Sequence, residues 1–196
     1  MITASSRSST GGRREQLVGT AFAILRSRGA DGLTLPMLAD ACGVSRPTVY
    51  NYFGGRTGLL LTLYQRLYDG HYAALVNALQ PPSDTLEEIA RGVAAALLDC
   101  AADRAEFDAL TAALKGHSES EQKLLGMFDR YVEAMYIALL PHSCLGPPVL
   151  RLRCIGLLGA ARAVGAELAG GRTTRDEAAA AVVELFMCSL NSATAV

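Results

Sequence analysis

Residues 33–60 read LTLPMLADACGVSRPTVYNYFGGRTGLL and carry the most informative pattern in this chain. Two short runs with helical apolar spacing, residues 35–42 and 45–52, lie on either side of Gly43. A glycine at this point suits a helix that ends in a left-handed turn. The residue before the first run is a threonine and the second run opens with a serine, and both types cap helix N-termini. The pattern predicts a helix-turn-helix, whose second helix fits the major groove of DNA.

The second predicted helix packs against the first helix on one side, and its other sides are available to contact DNA. Val49 is expected to face Leu38 on the first helix, and Pro47 falls in the first turn, where its missing N–H does no harm. The outward side chains are arginine, threonine, asparagine and tyrosine, which suit base edges and phosphates. The predicted DNA-binding residues of the whole motif are Thr34, Ser45, Arg46, Pro47, Thr48, Tyr50, Asn51, Tyr52 and Arg56.

This stretch resembles the TetR family of transcriptional regulators, whose pattern is a threonine followed by IA..AGVS..TLY.HF..K..L. The matching positions here are Thr34, Leu38-Ala39, Cys42-Gly43-Val44-Ser45, Thr48-Val49-Tyr50, Tyr52-Phe53, Arg56 and Leu59-Leu60. Cys42 replaces the usual alanine and Arg56 the usual lysine, while the pair Gly54-Gly55 is expected to loosen the join to the next helix. The resemblance covers residues 16–67, about the first third of the chain.

Charge is distributed unevenly along the chain, although the net charge is only −1. Residues 1–56 hold seven arginines and three acidic residues, a net charge of +4. The remaining residues hold 11 basic and 16 acidic residues, a net charge of −5. This asymmetry is typical of a basic DNA-binding head on a more acidic body.

The composition argues against several other classes of protein. A hydrophobic fraction of 51% is enough for a core, and the five cysteines show no C-x-x-C spacing, so we expect reduced, mostly buried thiols. No apolar signal segment or uncharged stretch of 18 apolar residues occurs, so we expect a cytoplasmic protein. The three histidines lie in no recognised catalytic motif, and we therefore predict neither an enzyme nor a bound cofactor or metal.

Helical periodicity continues to the C-terminus, and no strand pattern occurs. The predicted fold is all-α with about nine helices: an N-terminal three-helix helix-turn-helix head, linked by helix 4 to a C-terminal helical body. The predicted organisation is a disordered arm over residues 1–12, a DNA-binding domain over 13–55, and an effector-binding and dimerisation domain over 56–196. Helix 4, from Arg56 to about residue 79, is the expected rigid connection.

The last two predicted helices, residues 149–169 and 175–191, are apolar nearly all round. Because such helices must be buried on every side, we predict that they pair with their copies in a four-helix dimer interface. A two-fold dimer would present two recognition helices about one DNA turn apart, so the predicted operator is an inverted repeat. The predicted interface residues are Leu152, Ile155, Gly159, Ala163, Val182, Leu185, Phe186 and Ser189.

The resemblance also implies a small-molecule effector in a cavity enclosed by helices 4 to 8, whose binding swings helix 4. The candidates in this chain mix aromatic and apolar groups with a few polar ones, as is typical of ligand pockets. They are Tyr68, His71, Cys100, Phe107, His117, Phe128, Tyr131 and Met135, with His71 and Tyr131 ranked first.

Two alternatives stay open at this point. One is a regulator that has no small-molecule effector. The other is a metal or thiol sensor that uses Cys100, His117, His142 or Cys144. The residues do not distinguish repression from activation, and repression is the commonest outcome in the family.

Overall fold

The computed structural model describes residues 5–80 and 85–191, and these residues form nine α-helices and no strand. Two short 3-10 turns, Cys100–Asp103 and Leu140–His142, complete the regular structure. The all-α prediction is therefore confirmed. The helices are α1 Ser5–Gly32, α2 Leu35–Cys42, α3 Arg46–Phe53, α4 Arg56–Ala78, α5 Leu86–Asp99, α6 Arg104–Leu114, α7 Ser118–Leu139, α8 Pro147–Ala169 and α9 Arg175–Asn191.

The first helix begins earlier than the sequence predicted. Residues 1–4 of the expected disordered arm lie outside the described residues, but the chain is helical from Ser5. Extending an existing helix costs much less than starting one, so polar residues can join a helix that the following segment nucleates. Near its end α1 is interrupted at Gly29, where φ is 69°, a conformation that favours glycine.

The described residues divide into two compact units. The first unit contains residues 5–67 together with 105–122. Its core is formed by the predicted apolar face of α1 and by buried leucines of α2, α4 and α6. The buried residues include Leu17, Val18, Ala21, Leu25, Leu38, Val49, Leu60, Leu63, Leu110 and Leu114. Sequence reasoning placed the head within residues 13–55 and did not foresee that α6 packs with it.

The second unit contains residues 68–104, apart from 81–84, and residues 123–191. Helix α5 packs against α8 and α9, and the three helices enclose a core with part of α7. Val182 and Phe186 lie in this core, with 1% and 0% of their surface exposed. The sequence had assigned both to a dimer interface, but they lie four residues apart on the face of α9 that packs inward.

Two helices of the second unit start with a capping box. Thr85 and Glu88 form it at α5, and Thr174 and Glu177 form it at α9, as the spacing predicted. The backbone N–H and hydroxyl of Thr174 hydrogen bond to the Glu177 carboxylate and lower its pKa. No helix in the described part of the chain is long and apolar enough to cross a membrane.

Candidate nucleic-acid interface

The first short helix, α2, is closed at both ends by local hydrogen bonds. The Oγ1 atom of Thr34 accepts a hydrogen bond of 3.3 Å from the backbone N–H of Met37. At the other end Gly43 adopts a left-handed conformation with φ of 63°. The N–H of Val44 then donates to the carbonyl of Ala39 at 3.0 Å. These bonds fix the tight turn that the glycine predicted.

The second short helix, α3, has its first turn fixed by Ser45. The serine Oγ accepts from the backbone N–H of Thr48 at 3.4 Å and lies 2.8 Å from the Thr48 hydroxyl. Val49, one turn further on, is fully buried, as is Leu38 on α2. The packing side of α3 is therefore the one that the sequence predicted.

The opposite side of α3 is open to solvent. Arg46, Pro47 and Asn51 are exposed, and Tyr50 has 49% of its surface exposed. Thr48 and Tyr52 are half-buried. Within the described part of the chain, no side chain forms an ion pair or hydrogen bond with Arg46. The helix thus presents a guanidinium group and several polar groups on one surface.

Arg56 has a structural role that the sequence did not reveal. Its guanidinium donates to the backbone carbonyl of Ala30 at 2.7 Å and to that of Leu33 at 3.4 Å. It also lies 3.5 Å from the carboxylate of Asp31. The first residue of α4 thereby holds the segment that joins α1 to α2. The predicted phosphate contact of this arginine stays a prediction.

Glycines shape the join between α3 and α4. Gly54 and Gly55 have φ of 71° and 157°, and the Gly54 N–H bonds the carbonyl of Tyr50 at 2.7 Å. These positive φ angles favour glycine, so the pair is needed for this turn, and the expectation that it loosens the join stays a prediction. At Gly58 a Cβ atom would overlap the carbonyl oxygen of Phe53. Sequence reasoning missed Gly58, because a glycine within a helix gives no local signal of close approach.

Helix α6 braces the first unit from a distant part of the sequence. Arg26 on α1 pairs with the buried Glu106 at 2.6 Å. Phe107 packs edge-on against Tyr64, with ring centroids 5.1 Å apart. His117, at the following turn, is exposed. Phe107 and His117 were predicted as effector ligands, and the structure places both of them in the first unit.

The other predicted effector ligands lie in the second unit. Tyr68 has 2% of its surface exposed and belongs to a group of three tyrosine rings that includes Tyr131. His71 lies 2.9 Å from the carboxylate of Asp103. Met135 is part of the packed core, whereas Phe128 is exposed.

Cys100 is the remaining effector candidate, and its surroundings disfavour ionisation of its thiol. The thiol donates to the carbonyl of Ala96 at 3.3 Å. Burial, with the nearby carboxylates of Asp99 and Asp103, raises its pKa to about 12. Because the thiolate is the reactive form, this environment suppresses both nucleophilic attack and metal binding.

The cysteines and histidines of the sensor alternative are not gathered into one site. His142 and Cys144 are exposed. Within the described ranges, no group of three or more histidine, cysteine, aspartate or glutamate side chains is placed to hold a metal ion.

The predicted interface residues divide into two sets. Six of the eight reach the surface at least in part: Leu152, Ile155, Gly159, Ala163, Leu185 and Ser189. Leu152 is the most open of them, with 68% of its surface exposed. The backbone carbonyl of Ser189 accepts a hydrogen bond from Arg153. Val182 and Phe186 belong to the interior, as described above.

Two short capped helices, the second of which presents an arginine with no ion pair among the described residues, define the class of helix-turn-helix DNA-binding proteins. Comparisons with known proteins support this class. The sequence profile "Bacterial regulatory proteins, tetR family" matches residues 17–63. The regulator EthR of Mycolicibacterium smegmatis is 28% identical over 131 residues, which are 66% of this chain and 60% of EthR. The transcriptional activator FasR of the same species is 30% identical over 83 residues, 42% of this chain and 38% of FasR.

A solved structure shows the same fold over nearly the whole chain. A transcriptional regulator from Rhodococcus sp. Rha1 superposes with a TM-score of 0.76 at 17% identity, covering 93% of this chain and 98% of that one. The profile match identifies residues 17–63 as the helix-turn-helix domain of a TetR-family transcriptional regulator. The chain spans less than two thirds of the length of the curated relatives described above.

Proposed function

We propose that this protein is a cytoplasmic repressor that binds an inverted-repeat operator as a homodimer and is released by a small-molecule effector. The observation that carries the proposal is the exposed side of α3, where Arg46 has no partner among the described side chains. A buried Val49 on the opposite side fixes how this surface is presented. The match of residues 17–63 to the TetR family supports DNA binding.

The residues of α3 take different roles in this proposal. Arg46, in the first turn, reads guanine through O6 and N7 with two hydrogen bonds. Thr48, Asn51 and Tyr52 make secondary contacts to bases or sugars. Tyr50 and Arg56, with the capped starts of α2 and α3, bind phosphates and set the register on the duplex.

The exposed face of α8 supports the homodimer. Val149, Leu152 and Leu185 line a groove of about 460 Å³. A Cβ added at Gly156 or Gly159 would meet no atom of the chain within 4 Å. Packing within the protomer therefore does not require these glycines, whereas close approach of a second helix would. Family resemblance implies the same use of α8 and α9.

The effector would act by thermodynamic linkage. A ligand that releases the operator must bind the DNA-incompetent state more tightly than the DNA-competent one. By reciprocity, operator binding must weaken ligand binding by the same factor. Tyr68, His71 and Tyr131 are the polar and aromatic groups of the second unit that we propose for this role.

The decisive experiment is selection of bound sequences from random DNA by the full chain. We expect an inverted repeat with half-sites about 10 base pairs apart. In the selected operator, Arg46→Ala should reduce the preference over random DNA by about tenfold or more, since a bidentate contact contributes about 1–3 kcal/mol of discrimination.

Arg28→Ala is the matched control for this experiment. Arg28 is also an exposed arginine of the first unit, but it lies near the end of α1. The control variant should keep the wild-type preference. A selection without a repeated half-site would exclude the proposed mode of binding. An equal loss of preference in both variants would show that Arg46 contributes only charge.

A further inference from the structure

Three tyrosine rings of the second unit form one aromatic cluster. Tyr68 and Tyr72 lie one turn apart on α4, with ring centroids 5.6 Å apart and planes within 10° of parallel. Tyr131 on α7 meets both rings edge-on, at 5.2 Å from Tyr68 and 5.5 Å from Tyr72. The geometry is the offset-stacked and edge-to-face arrangement that aromatic pairs prefer. We call these three residues the tyrosine cluster.

An arginine is held against the tyrosine cluster. The guanidinium carbon of Arg130 lies 4.6 Å from the ring centre of Tyr72 and 5.6 Å from that of Tyr68. Both distances are within the range of a cation–π contact. Arg130 is nevertheless exposed as a residue. Contact with the rings restricts the guanidinium group, and its N–H groups remain hydrogen-bond donors for a ligand.

The acidic side chains nearest to Arg130 in sequence are already engaged by another arginine. Asp129 and Glu133 lie 3.4 Å and 2.8 Å from the guanidinium of Arg151. Gly126 and Ala134, one turn away on either side, carry no charge. In the described part of the chain, Arg130 has no ion pair and no hydrogen bond. Its positive charge thus lies against aromatic rings, and no described carboxylate pairs with it.

We propose that Arg130 and the tyrosine cluster bind the carboxylate of a small organic acid, and that this acid is the effector. The inference rests on the proposed function, because it names the chemical class of that effector. A carboxylate matches the planar fork of one guanidinium with two parallel hydrogen bonds. Tyr72 and Tyr131 are half-buried, so the exposed parts of their rings are the surface proposed for the body of the same molecule. Phosphate sites commonly add further cations or backbone N–H groups, so the single arginine favours a carboxylate.

The test uses 2-naphthoate and its neutral amide, 2-naphthamide, titrated calorimetrically into the full chain. The two probes share an aromatic body and differ in the charge of one group. We expect 2-naphthoate to bind at least tenfold more tightly than 2-naphthamide. Arg130→Gln should abolish this preference, and Arg130→Lys should reduce it, because lysine keeps the charge but lacks the planar fork.

Arg91→Gln is the matched control, since Arg91 is an exposed arginine of the same unit that pairs with Glu87 at 2.5 Å. It should keep the preference for the acid. Equal binding of the two probes to the wild-type chain, or a preference that survives Arg130→Gln, would overturn the inference. Circular dichroism melting of each variant shows whether a lost preference reflects unfolding, and Arg130→Lys repeats the test if Arg130→Gln does not fold.

Measuring operator binding tests the proposed function independently of the carboxylate site. If the wild-type chain binds its selected operator but does not prefer the acid, the carboxylate assignment fails while the DNA-binding proposal stands. If the chain prefers the acid but selects no operator, the proposed function fails and the carboxylate site stands as a ligand site. If both succeed, 2-naphthoate should lower operator affinity in the wild type and not in Arg130→Gln.

Discussion

Arg56 has an observed structural contact and a proposed contact with DNA. Its guanidinium bonds the carbonyls of Ala30 and Leu33, and we propose that it also faces a DNA phosphate. Arg56→Ala should lower the free energy of unfolding by about 1.5 kcal/mol, at the low end for hydrogen bonds to charged groups because the side chain is partly exposed. It should also reduce the slope of log affinity for DNA against log salt by about one.

Arg56→Lys separates the two roles. Lysine keeps the positive charge but cannot bridge two carbonyls with a planar fork. We expect this variant to lose stability in urea denaturation and to keep the wild-type salt slope. An unchanged slope in Arg56→Ala would argue against the phosphate contact, and an unchanged unfolding free energy would argue against the bracing role.

The contact between the end of α3 and the start of α4 fixes the position of α3. Gly58 lies against the Phe53 carbonyl, and a Cβ at this position would overlap that oxygen. Because the obstacle is backbone, Gly58→Ala must displace one helix relative to the other. We expect a loss of about 1–3 kcal/mol of stability, as for other overpacked sites, together with weaker operator binding.

Gly70→Ala is the control for this prediction, because Gly70 lies in the same helix and a Cβ there would meet no atom within 4 Å. That variant should gain up to about 1 kcal/mol from the higher helix propensity of alanine. Thermal melting and operator titration of both variants provide the measurement. A Gly58→Ala protein as stable as Gly70→Ala would show that the close approach is unimportant.

At the scale of the whole molecule, the proposed dimer depends on the exposed face of α8. Leu152 has 68% of its surface exposed and lines the groove on this face. Leu152→Glu should convert the dimer to a monomer in light scattering, since burying an unpaired carboxylate is unfavourable. Operator affinity should fall with it, because two linked half-site contacts would become independent.

Leu125→Glu is the matched control for the dimer, because Leu125 on α7 is similarly exposed at 64%. This variant should stay dimeric and keep its operator affinity. If Leu125→Glu dissociates the dimer while Leu152→Glu does not, the interface lies on α7. A wild-type chain that is monomeric at micromolar concentration would exclude the proposed dimer altogether.

Local chemistry in the sequence determined much of the first unit. The span of α2, residues 35–42, and the left-handed Gly43 follow from a capping threonine, an apolar repeat and a glycine at the turn. The exposed side of α3 follows from the burial of Val49. The sequence could predict these features because each depends on residues within a few turns of one another.

Tertiary structure decided the features that depend on distant partners. The sequence predicts that α9 is apolar nearly all round, but packing against α5 and α8 buries the side that bears Val182 and Phe186. Glu106 is a second example, because it pairs α6 with Arg26 on α1, 80 residues away in the sequence. An apolar period identifies a helix and its faces, whereas the choice of which face is buried depends on contacts that only the folded chain brings together.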